Sequence, residues 1–270
     1  MSEAPAPGKP PIVLIHGLWM TPKSWEGWAG RFRSKGHEVV TPGWSEAFDR
    51  SPEDLRRDPS ALAGLTAAQV ADHLEQAIRA LPEPPIIMGH SFGGLFTQVM
   101  LNRGLGAAGV GVDAAQPRGV LKLPFSTIKS SFGIIRNPLN RGKAVPFTPK
   151  QFKYAFGNLL SEEESQKAWE AYAVPGVGHV FMEGVNANLN PGTVFKIDYE
   201  KADRAPLLLL AGGKDHVVPA GVTRSNAKKY KSGLVEVKEY PDRSHWTVAQ
   251  DGWEAVADHA LDWATRNAKS

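Results

Sequence analysis

The chain contains no cysteine. A thiol nucleophile, a zinc–thiolate cluster and any disulfide framework are therefore excluded. Long apolar runs are missing too. The most apolar stretches, such as Leu207-Leu208-Leu209-Leu210-Ala211, stop at the length of a strand, far short of the roughly 20 residues that span a bilayer as a helix. Met1 to Pro11 reads MSEAPAPGKPP; without an apolar core it does not read as a secretory signal, and residues 1–10 are expected to form a flexible leader. Lysine and arginine gather into no tract and the net charge is only +3, so the basic balance is no argument for nucleic acid. His37, His73, His179 and His259 have no partners at metal-ligand spacing, and no metal site is expected. What remains is a single domain of 270 residues with a large core, cytoplasmic and without membrane insertion. Its oligomeric state is not readable.

Against these absences stands one dense feature, Ile86-Ile87-Met88-Gly89-His90-Ser91-Phe92-Gly93-Gly94. A short apolar run of strand length leads into a G-x-S-x-G pentapeptide. A helical stretch follows, with Leu95, Val99 and Met100 on one face and Gly104 as a stop. Strand, tight turn, helix is the context of a nucleophile elbow. The turn holds Ser91 in a strained conformation, so the residues two before and two after it must lack bulk. The serine oxygen is raised beside a helix N-terminus, whose free N–H groups favour negative charge.

A serine hydroxyl needs a base, and the base needs an orienting carboxylate. Both types occur downstream at strand ends. The apolar strand at Leu207–Ala211 runs into Gly212-Gly213-Lys214-Asp215-His216-Val217-Val218-Pro219. Val235 and Val237 alternate with charged residues up to Tyr240, and Pro241-Asp242-Arg243-Ser244-His245-Trp246 follows. Open α/β sheets keep their sites at such positions. Ser91 is thus the candidate nucleophile, His245 the general base and then acid, and Asp215 the group that fixes the imidazole tautomer. Asp113, which ends a strand at Val110–Val112, is an alternative acid.

Serine, aspartate, histidine in that order matches the α/β-hydrolase order. With His16-Gly17, Gly89–Gly94, Gly213–Pro219 and Ser244-His245 at matching places, the chain resembles the small, single-domain, lidded esterase-like members of the α/β-hydrolase superfamily from about Ile12 to the C-terminal helix. The resemblance implies an oxyanion hole made by the backbone N–H groups of Leu18 and Phe92. Serine at 91 departs from the epoxide hydrolases and haloalkane dehalogenases, which place aspartate there. Gly17 and Trp246 depart from the plant-type hydroxynitrile lyases, and His16-Gly17-Leu18-Trp19 is not the HGGG loop of the hormone-sensitive-lipase-like esterases. Relatives that cleave carbon–carbon bonds tend to have asparagine where His90 stands. The implied activity is hydrolysis of a carboxylic ester of a small to medium apolar molecule through an acyl-enzyme, without a cofactor. A thioester, lactone or amide substrate, and a catalytically weak ligand receptor or scaffold, are the alternatives.

Strand-and-helix alternation runs along most of the chain. Ile12–Ile15 reads as a buried strand; Thr21 and Pro22 then open a helix with Trp25, Trp28 and Phe32 at helical spacing. His37–Val40 reads as the next strand, and Thr66 with Gln69 as a capping box before a helix carrying Val70, Leu74, Ile78 and Leu81. Alternation of this kind predicts an α/β fold, a mostly parallel sheet with helices on both faces. Because so few residues precede the first strand, the antiparallel strands that open many family members are expected to be missing, which leaves about six. From 119 to 203 the alternation stops and helical, aromatic signals take over, without obvious strands; at this place the family carries a helical lid. Trp19, Phe92 and Trp246, each beside a mechanistic position, are expected to line the substrate pocket together with Phe125 and Trp169. Phe132 is a further candidate from the same insertion.

Overall fold

The computed structural model describes residues 9–269 except 123, 128 and 130–136. The expected leader therefore falls largely outside the described residues, and Phe132 entirely so. Six strands form one sheet: β1 (Ile12–Ile15), β2 (Val39–Val40), β3 (Ile86–His90), β4 (Ala108–Val112), β7 (Leu207–Gly212) and β8 (Val235–Tyr240). Their order is β2-β1-β3-β4-β7-β8, and every pairing is parallel. β1, β3, β4 and β7 are buried throughout, which explains why they read as unbroken apolar runs: helices cover both faces of a parallel sheet. β8 is one of the two edge strands, and its alternation of half-buried and exposed residues is what made it legible.

From β1 the chain crosses to β2 on one side, then returns to β3 on the other. Strand order reverses between β1 and β3, and a crevice opens beyond the C-terminal strand ends at such a reversal. Around the sheet lie α1 (Glu26–Ser34), α2 (Pro52–Arg57), α3 (Ala67–Arg79) and α4 (Phe92–Asn102). The Thr66/Gln69 capping box is formed in full. The helix expected from Pro22 instead starts as a 3-10 turn at Pro22–Trp25 before α1. β2 is two residues long rather than four, since only Val39 and Val40 find partners on β1, at Ile12 and Val13.

The insertion between β4 and β7 holds α5 (Pro149–Ala155), α6 (Glu162–Tyr172) and α7 (Gly178–Val185). It also holds an antiparallel pair, β5 (Ala144–Val145) with β6 (Gly176–Val177), which the pattern did not announce because two-residue strands have no period to detect. The insertion is tied to the body: Arg56 donates to the carbonyls of Ala173 and Glu170, and Tyr172 donates to Glu26 at 2.5 Å. After the sheet come α8 (Ala220–Ala227) and α9 (Trp253–Asn267). Trp28 of α1 donates its ring N–H to Val248 O at 2.9 Å, and Arg31 pairs with Asp258 of α9. Among the described residues, no helix is long and apolar enough to cross a membrane.

Candidate active site

Ser91 joins β3 to α4 with φ 56° and ψ −120°. A non-glycine residue there costs on the order of 1–3 kcal/mol and persists only where its surroundings enforce it. They do so at several points. Its N–H donates to Val112 O at 2.9 Å and its carbonyl accepts from Ala115 at 3.0 Å. A Cβ on Gly89 would lie 2.1 Å from Gly93 O, and one on Gly93 would lie 2.0 Å from Ile15 O. Both elbow glycines are thus required by backbone contact on two sides of the serine.

Asp215 hangs from the end of β7, with its N–H directed at Gly212 O. One carboxylate oxygen accepts the N–H groups of Val217 at 2.6 Å and Val218 at 2.8 Å. That leaves the other oxygen for Nδ1 of His245, 2.7 Å away. Nε2 of His245 lies 3.0 Å from Oγ of Ser91. The two loops are laced together, Gly213 N to Tyr240 O and Lys214 N to Arg243 O. The network assigns the imidazole proton to Nδ1, facing the carboxylate, and leaves Nε2 to accept from the serine. His245 is fully buried. Burial disfavours its charge, but the charge and hydrogen bond of Asp215, aided by the charge of Asp113, outweigh burial and raise its pKa above 6.5.

The loop after β1 closes the other side. A Cβ on Gly17 would sit 3.0 Å from the Ser91 Cβ, so Gly17-Leu18 passes directly over Ser91. Among the described residues the Leu18 N–H has no hydrogen-bond partner, and the Phe92 N–H, at the first position of α4, has none within its helix. His16 braces this loop: Nδ1 meets Gly17 O at 2.9 Å, the ring stacks on Trp44, and Trp44 donates to His16 O. Burial, partly offset by the Gly17 bond, lowers the His16 pKa to about 4.

Beside Ser91 opens a cavity of about 190 Å³. Trp19, Phe92 and Leu95 wall it from the body, Phe181 and Val185 from the insertion, and Val217 from the loop that carries Asp215. Its few polar lining side chains include Gln116 and Lys122, beside Asn188, whose amide already serves Gly119 N and Val120 O.

Residues 12–259 match the model of the alpha/beta hydrolase family. The chain belongs to that family. No curated protein matches its sequence. Solved structures similar to it include tomato methylketone synthase I in complex with 2-tridecanone, at 16% identity and a TM-score of 0.67 over 96% of this chain and 99% of that one. A pyrethroid hydrolase from Sphingobium faniae is 17% identical with a TM-score of 0.64, covering 94% and 97%. A monoacylglycerol lipase from Paleococcus ferrophilus is 16% identical with a TM-score of 0.62, covering 97% of each chain.

Within this α/β-hydrolase frame, the sequence-derived pocket residues divide. Trp19 and Phe92 line the cavity. Trp246 does not: it is 2% exposed and packs against Phe152 and Tyr172. Trp169 donates to Phe147 O at 2.6 Å and lies under Arg56, away from the cavity. Phe125 is 77% exposed and does not line it. Phe181 and Val185 were not singled out, because nothing in their spacing marks a wall formed only when the insertion folds over the sheet. His90, to which the sequence assigns no role, is buried, and its Nε2 donates to His245 O at 2.8 Å.

Among the described residues, His90, Asp113 and His245 form a group whose potential ligand atoms all lie within 4.8 Å of one another. As a metal site it is poorly suited. Both ring nitrogens of His245 are engaged by Asp215 and Ser91, and Nε2 of His90 by a carbonyl.

Proposed function

We propose that the protein is a serine hydrolase that cleaves a carboxylic ester of a small to medium apolar molecule through an acyl-enzyme. The observation that carries this reading is the unbroken chain Ser91 Oγ–His245 Nε2 at 3.0 Å and His245 Nδ1–Asp215 at 2.7 Å. Ser91 attacks the ester carbonyl as His245 takes its proton; the imidazolium so formed is held by Asp215 and then protonates the leaving alkoxide. The negative oxygen of the tetrahedral intermediate is received by the N–H groups of Leu18 and Phe92, at the N-terminal end of α4. Each such donor is typically worth about 10²–10³ in rate. Water, activated by the same histidine, then releases the acid. Segment 119–203 acts as the lid: Phe181 and Val185 give it a wall of the cavity, and apolar walls favour an apolar limb on the ester.

A fluorophosphonate probe should label the wild type at Ser91, and p-nitrophenyl esters of graded chain length should turn over. Ser91→Ala should abolish both with the thermal melting curve unchanged. An intact, folded wild type that neither labels nor turns over any ester would instead identify a ligand-binding scaffold.

A further inference from the structure

Asp113 is a buried carboxyl for which the scheme above has no use. It follows β4 with φ 46° and is inaccessible to solvent. Its N–H donates to Leu210 O at 2.9 Å, and Oδ1 accepts the N–H of Gly212 at 2.7 Å. Oδ2 has no hydrogen-bond partner among the described residues. A single carboxyl thus clamps the end of β7, the strand from which the Asp215 loop departs, and keeps one oxygen unspent. An oxygen of this carboxyl lies within 4.8 Å of a ring nitrogen of both His90 and His245.

Clamping alone does not explain a carboxyl. An asparagine oxygen would accept from Gly212 as well, without the cost of a buried acid. An acid next to the base adds something an amide cannot, a charge that appears and disappears. We propose that Asp113 is a positioning residue of the base: its ionised carboxylate supports the His245 imidazolium alongside Asp215, while Oδ1 fixes the start of the Asp215 loop. The proposal rests on the reading of Ser91 as nucleophile and His245 as base.

The groups that face Asp113 are His90 from β3, Asp215 from the loop after β7, and His245 from the loop after β8; His16, after β1, acts on His90 behind them. The hydroxyl of Thr247 is also near, but its proton goes to Ser244 O at 2.7 Å. Burial, and next the charge of Asp215, raise the Asp113 pKa to about 7, so the carboxyl titrates in the range where His245 works. No proton passes through Asp113. The serine proton moves to Nε2 of His245 and on to the leaving oxygen, and Asp113 changes only the field in which that happens. Below its ionisation the base is held by one negative charge; above it, by two. Because each carboxylate favours the imidazolium that forms in the transition state, the rate follows the joint ionisation of Asp113 and His245 and is greatest when the first is charged and the second neutral.

The test compares wild type with Asp113→Asn, which keeps the Gly212 bond and removes the charge. The readout is the pH dependence of kcat/KM for a p-nitrophenyl ester from pH 5 to 9. The wild type should rise through two ionisations. The variant should rise through one, complete at lower pH than the upper of the two wild-type ionisations because His245 loses a neighbouring negative charge, and its plateau should be about tenfold lower, the equivalent of one pKa unit. An unshifted acid limb with an unchanged plateau would reduce Asp113 to a structural clamp. A loss of about 10⁴-fold, like that of a missing triad carboxylate, would make it the orienting acid; either result overturns the proposal. If Asp113→Asn folds poorly, the low-field Nδ1 proton of His245 in wild-type NMR spectra decides: two-step titration supports the contact and one-step titration refutes it. Failure of the underlying reading shows itself separately, as wild type that does not label with fluorophosphonate or Ser91→Ala that retains turnover.

Discussion

Replacing Asp215 by asparagine tests the site most sharply, because the surroundings dictate how the amide must sit. The oxygen that accepts Val217 N at 2.6 Å and Val218 N at 2.8 Å faces two donors. Asparagine can satisfy them only by placing its own oxygen there. Its NH₂ then faces Nδ1 of His245, 2.7 Å away, where two donors would collide. The imidazole escapes by moving its proton to Nε2, so that Nδ1 accepts from the amide. Nε2, 3.0 Å from Ser91 Oγ, now carries a proton and can no longer accept one. A mis-set tautomer of this kind lowers kcat by about 10⁴, or about 5.4 kcal/mol at 1.36 kcal/mol per decade. Folding should be spared, since both amide bonds survive. The assay is steady-state hydrolysis of p-nitrophenyl butyrate at pH 8, with thermal melting in parallel. Asp215→Ala supplies the contrast: it imposes no tautomer, so kcat should fall no further than in Asp215→Asn, while the orphaned Val217 and Val218 N–H groups lower the melting temperature. A folded Asp215→Asn enzyme with kcat within tenfold of wild type would refute the reasoning.

Two further outcomes follow from contacts around the site. Gly93→Ala would press a Cβ to 2.0 Å from Ile15 O and 2.6 Å from His16 O, both backbone atoms, and should destabilise the protein by more than about 3 kcal/mol; a urea-melt change below 1 kcal/mol would show that the elbow can relax. Phe181→Leu, which shortens one wall of the 190 Å³ cavity, should raise kcat/KM for octanoyl over butyryl esters by about fourfold, as expected if room for roughly one more methylene is gained at about 0.8 kcal/mol; an unchanged ratio would exclude the cavity as the acyl site.

Legibility followed the range of the interactions. The elbow is local: strand, glycines, serine and helix cap lie within one run from Ile86 to Gly94, and so could be read directly. Asp215 and His245 were readable because each sits immediately after a strand, and a parallel sheet brings strand ends together whatever the loops do. Trp246 shows the limit of arguing from adjacency. His245 turns its ring toward Ser91, and the next side chain leaves in another direction, into the packing around Phe152. The cavity wall at Phe181 and Val185 depends on how the insertion lies over the sheet, which no period encodes. Asp113 illustrates a different limit. Chain order could rank it against Asp215 as the acid, yet could not show that both carboxyls crowd the same imidazole.

The hydrogen bond from His90 to the carbonyl of His245 joins the residue before Ser91 to the backbone of the proposed base. Burial, and next the positive charge that His245 acquires, push the His90 pKa well below 6.5. Its ring therefore stays neutral where, under the proposed mechanism, the neighbouring ring takes up and returns a proton. One imidazole has been made deaf to pH so that the other can respond to it. Under that mechanism the strut from His90 to the backbone of His245 keeps its donor while the base titrates.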